Sequence, residues 1–118
     1  MKLEEIETIF DYATPEEIKL LTPLRSKEEY LKFISQLKDP VRYAANDLFE
    51  LFMMREDYKR ARRYLEMMYP GNKEKQARTL YIYLRPGCLV EFWIPITHEL
   101  KEAFKDLLEN EVPSAQLL

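Results

Sequence analysis

The chain has 118 residues, 47% apolar and 33% charged, with a formal net charge of −3, enough for one hydrophobic core and too apolar for a disordered segment. No apolar run approaches the roughly 20 residues that span a bilayer, and the acidic start Met1-Lys2-Leu3-Glu4-Glu5 does not read as a secretion signal. Cys88 is the only cysteine, which excludes an intramolecular disulfide and a Cys-based zinc site within one chain and fits a reducing cytoplasm.

These features predict one soluble domain over residues 1–118, with 113–118 as a loose tail, no membrane association and no cofactor. Three Asn, three Gln and three Ser against many Lys, Glu, Arg and Tyr lean towards the composition of proteins from hot environments. The net charge hides segregation. Residues 1–24 carry two basic and six acidic side chains, 55–85 nine basic and four acidic, and 86–118 two basic and six acidic. The plain reading is a solvated basic helix face that complements the acidic ends of its own or a neighbouring chain; the sharper one is a polyanion site.

In chain order, Leu3, Ile6, Ile9 and Phe10 share a helical face, which predicts a short amphipathic helix over 2–11. Thr14-Pro15-Glu16-Glu17 has the form of a capping box with Pro at the first helical position, opening a helix over about 15–21. Ser26-Lys27-Glu28-Glu29 repeats the pattern, followed by Tyr30, Leu31, Ile34 and Leu37 at helical spacing. Asp39 caps a helix that Pro40 opens. Its apolar positions Val41, Ala44, Ala45, Leu48, Phe49, Leu51 and Phe52 cover so wide an arc that 40–55 is predicted to be the central helix, buried on two sides.

Arg55-Glu56-Asp57 then turns the chain, and Tyr58, Ala61, Leu65 and Met68 form the next stripe before Tyr69-Pro70-Gly71 stops it. The segment from Phe52 through Met53, Met54, Arg55, Glu56, Asp57, Tyr58, Lys59, Arg60 and Ala61 to Pro70 resembles one tetratricopeptide-type helical hairpin, with Glu56 where that family commonly has glycine. The resemblance implies an antiparallel helix pair. In that family such pairs bind peptides, but one copy forms no groove, and a solenoid needs about three.

Residues Thr79 to Ile96 alternate, are rich in aromatic and β-branched side chains, and contain Pro86-Gly87, which predicts an antiparallel β-hairpin. Pro cannot open a primed two-residue turn. An odd-length loop instead groups Leu80, Ile82, Leu84, Cys88, Val90, Phe92 and Ile94 on an apolar face packed on the helices. Tyr81, Tyr83, Leu89 and Trp93 fall on the other face as a candidate protein interface, and the free hairpin edges favour a homodimer. Thr97 caps a final helix over about 98–111 with Leu100, Ala103, Phe104, Leu107 and Leu108 in line. The fold class expected is therefore α+β: about six helices and one β-hairpin at 79–96.

Catalytic chemistry finds little support. The two glycines, Gly71 and Gly87, sit beside prolines at turns, so no phosphate-cradling loop is present. A Cys88–His98 dyad would have to bridge about 25 Å along one strand. The paired acids Glu4-Glu5, Glu16-Glu17 and Glu28-Glu29 lie at helix starts, where the backbone dipole explains them. The expected function is a non-catalytic protein-interaction module, or small adaptor or regulatory protein. The alternative is a nucleic-acid-binding regulator: the order helix pair, hairpin, helix is similar to a winged-helix domain, with Lys59, Arg60, Arg62, Arg63 and Arg85 as phosphate contacts.

Overall fold

The computed structural model of the protein describes residues 2–84 and 97–110, and all of its regular structure there is helical. Two 3-10 turns, Leu3–Glu5 and Ile9–Asp11, precede α1 (Pro15–Leu21), α2 (Lys27–Ile34), α3 (Pro40–Met54), α4 (Tyr58–Met68), α5 (Lys73–Leu84), α6 (His98–Ala103) and α7 (Lys105–Asn110).

The helix starts follow the local chemistry. The side chains of Thr14, Ser26, Asp39, Asp57 and Thr97 each accept from the backbone amide three residues on, as expected of N-caps. The first segment differs from its prediction. Thr8 is extended, with its hydroxyl accepting from the Phe10 amide and its amide donating to Asp11, so the chain caps and restarts within what the apolar spacing alone reads as one helix. Ile6 and Ile9 still reach the core. The final helix also breaks, at Phe104, yet Leu100, Phe104 and Leu107 are all buried.

The predicted centre holds. On α3, Ala44, Ala45, Leu48, Phe49, Leu51, Phe52 and Met53 are all buried, each large side chain stabilising the fold by about 1.5–3 kcal/mol. Its largest interface is with α4, while α1, α2 and the turn Ile9–Asp11 cover other sides. Arg42, near the start of α3, donates to the Met68 carbonyl at the end of α4 and lies over the Tyr69 ring, which fixes the pair antiparallel. Between them Glu56 adopts φ 59°. The Asp57 amide donates to Phe52 O at 2.9 Å and the Glu56 amide to Met53 O at 3.0 Å, so the left-handed residue closes a Schellman turn at the position where the helical-hairpin resemblance places glycine.

The α+β expectation is overturned. Thr79–Leu84, assigned as the first hairpin strand, is the second half of α5, and the described residues contain no strand. The rest of the hairpin, residues 85–96, and the tail 113–118 lie outside the described residues. Asn72 accepts from the Lys75 amide as the cap of α5, and Gln76, Ala77, Leu80, Tyr81, Tyr83 and Leu84 are buried at helical spacing. Ile82, placed on the core face by the strand reading, turns outward and is 47% exposed. An unbroken apolar run carries both periods, so periodicity alone cannot choose between strand and helix.

Candidate functional site

The α2–α3 side of the molecule carries a layered arrangement of aromatic rings over a buried acid, Asp47, with a partly buried one, Glu50, beside it. Phe33 of α2 and Tyr43 of α3 meet edge-on at 5.5 Å, and remain 40% and 38% exposed. Tyr30, fully buried, lies 6.1 Å from the Tyr43 ring and 5.5 Å from Phe10. Its hydroxyl donates to Asp47 Oδ2 at 2.6 Å. Asp47 is itself only 6% exposed. One turn along α3, Glu50 accepts from the Tyr83 hydroxyl at 2.7 Å and from Asn46 Nδ2 at 3.3 Å, so tyrosines from α2 and α5 both anchor on acids of α3.

Burial pushes the Asp47 carboxyl up to about 7; the Tyr30 hydrogen bond opposes this and the charge of Glu50 adds to it. Burial likewise raises the Tyr30 and Tyr83 hydroxyls, assisted by Asp47 and Glu50 respectively. Sequence reasoning placed acids at helix starts and missed Asp47. The available signal was its position mid-helix, one helical step from Leu51 at the edge of the apolar arc, where a carboxylate is expected to be partly enclosed.

Of the predicted interface residues, the structure describes only the two tyrosines. Tyr81 and Tyr83 are 6% and 3% exposed on α5, and Leu89 and Trp93 lie outside the described residues. The sheet edge offered for homodimerisation is not formed by 79–84, which are helical.

The basic residues divide. Lys59, Arg60 and Arg63 are exposed on α4, opposite the buried stripe of Tyr58, Ala61, Leu65 and Met68, and Arg85 lies outside the described residues. Arg60 lies 3.5 Å from Asp57 and over the Phe52 ring. Arg62 grips Asp106 with both terminal nitrogens at 2.7 and 2.8 Å, and Lys73 reaches the same carboxylate at 2.8 Å. Arg55 holds Glu17 at 2.7 and 2.9 Å. These bonds hold Glu17 down to about 2 and Asp106 well below the usual carboxylate range. The basic middle of the chain thus clasps both acidic ends, in line with the plain reading of the charge pattern.

An open hollow between the start of α4 and α6 is lined by Glu56, Tyr58, Lys59, His98, Glu99 and Glu102. The Tyr58 hydroxyl is buried at its wall, facing Thr97 and Glu56. Among the described residues no group of three His, Cys, Asp or Glu could hold a metal ion, and no described helix is long and apolar enough to cross a membrane. His98 is exposed at the first turn of α6, and Cys88 lies outside the described residues. Compared with protein-family models, curated proteins and solved structures, the chain finds no match.

Proposed function

We propose that this chain is a non-catalytic protein-interaction module that docks a protein partner on the Phe33–Tyr43 platform. The observation that carries the reading is the pair of half-exposed aromatic rings held edge-on from two different helices, with Tyr30 packed beneath. Aromatic side chains contribute disproportionately to binding energy, and rings already fixed in place lose little entropy on binding. A single cysteine in 118 residues suits a reducing compartment such as the cytoplasm.

The test is a double substitution, Phe33→Ser with Tyr43→Ser, examined by affinity capture from the native host and by solution mass over a concentration series. Loss of a specific retained protein, or of self-association, with the helical signal unchanged supports the platform. Leu20→Ser, at a 60% exposed position on α1, serves as the comparison and should retain the partner. Retention unaffected by the double substitution sinks the reading.

A second reading, nucleic-acid binding through α4, is supported by the exposed Lys59, Arg60 and Arg63. It is weakened by the engagement of Arg62 with Asp106. Affinity for a duplex or single strand that fails to drop steeply with added salt removes it.

A further inference from the structure

Among the described residues, Asp47 is an acid in a core position with one hydrogen bond and no cation. Tyr30 supplies that bond. The titratable groups around it are Tyr30 from α2, Tyr43 and Glu50 from α3 itself, and Tyr83 from α5. The other elements packed on α3 bring charges that are engaged elsewhere: Asp11 with Lys27 and Glu17 with Arg55. Tyr64 of α4 stacks on Phe52 and bonds Glu7. No described Lys or Arg contacts Asp47. A carboxylate buried without a cation strongly disfavours its charged form.

We propose that Asp47 makes the aromatic platform sensitive to pH, with α2 fully docked on α3 while Asp47 is protonated and opening locally once Asp47 ionises. A chain of ring contacts gives the route. Tyr30 is at once the donor to Asp47 and the ring beneath Tyr43, and Tyr43 positions Phe33. α2 is eight residues long, buries only Tyr30 and Ile34 fully, and makes a far smaller interface with α3 than α4 does. A helix held by so few contacts is a natural unit of local opening. When it lifts, Asp47 meets water and releases its proton at the ordinary carboxylate value, so opening and proton release are one step. The consequence for partner docking rests on the Phe33–Tyr43 reading; the opening itself does not.

Linkage of one proton makes the opening constant rise about tenfold per pH unit between the open-state and closed-state values, roughly pH 4 to pH 7, and level off above. Amide hydrogen exchange of Tyr30, Leu31 and Ile34, followed by NMR from pH 5 to pH 8.5 and corrected for intrinsic exchange, should show that slope and plateau. The rise should persist unchanged in low urea, as a local opening does. In Asp47→Asn it should vanish. Direct 13C titration of the Asp47 carboxyl in the unsubstituted protein covers the case in which that variant folds poorly. A carboxyl already ionised by pH 5 overturns the proposal, as does an α2 rise that tracks urea, which marks global unfolding. Phe33→Ser alone, which leaves Tyr30 and Tyr43 in place, should leave the Asp47 midpoint near its original place even if partner retention is lost. If retention instead survives Phe33→Ser with Tyr43→Ser while the titration of the unsubstituted protein stands, the docking reading fails and the opening remains.

Discussion

Asp47 and Asp106 are the same residue type in opposite surroundings. Asp106 lies at the rim, its side chain 33% exposed, between Arg62 and Lys73; Asp47 lies under α2 with a single tyrosine hydroxyl. Cations hold the first in its charged form, and burial pushes the second towards its neutral form. The difference shows that a carboxylate's contribution to this fold is set by what the neighbouring helices bring to it, and that the two acids should respond to pH with opposite sign.

The largest effect expected is at Asp47. Its folded value is raised, so its stabilising contribution is complete below the unfolded value near 4 and is lost as pH rises through about 7. From pH 4 to pH 8, urea unfolding should show the protein losing on the order of 3 kcal/mol relative to Asp47→Asn. Equal pH profiles for the two proteins would erase the contrast. Next comes Tyr30→Phe, which strips Asp47 of its donor: about 2 kcal/mol is expected at pH 8, less at pH 5, with the Asp47 midpoint moving further up in a carboxyl titration.

Smaller effects belong to the rim. Glu17 and Asp106 have lowered values, so their contribution is present above about pH 4 and lost as pH falls below it. Combined with Asp47, these groups favour a stability maximum on the acid side of neutrality. Arg62→Ala should cost about 1 kcal/mol, because the pair is bidentate but partly solvated, and the cost should shrink in 1 M salt. Lys73→Ala, removing the more exposed partner, should change the unfolding free energy by only about 0.3 kcal/mol. A Lys73 effect larger than that of Arg62 would reverse the ranking drawn from geometry.

Much of the scaffold was legible because its signals are local. Five N-caps depend on side chains bonding amides three residues away, and the turn at Glu56 that joins the antiparallel pair α3 and α4 depends on backbone amides bonding carbonyls three and five residues back. α5 was not legible from its apolar half. Thr79-Leu80-Tyr81-Ile82-Tyr83-Leu84 favours a strand by residue type, and the decision lies upstream. Asn72 caps the helix, and Lys73 to Arg78 are mostly good helix formers that carry it into the run. Tertiary contacts then reward the helix: Tyr83 reaches Glu50 and packs edge-on against Phe49 at 5.4 Å. The candidate platform was illegible for a related reason, since Phe33 and Tyr43 come from different helices and only their packing places the rings together.

The sequence by itself determined where most helices start, which helix would be central, and that basic and acidic residues are segregated along the chain, because capping, periodicity and charge order act over a few residues. The tertiary structure alone decided that 79–84 is helical, that Ile82 faces out while Tyr81 and Tyr83 face in, and that Asp47 is enclosed with no cation among the described residues. Those outcomes depend on which surfaces meet, and burial is a property of the assembled helices rather than of any one segment.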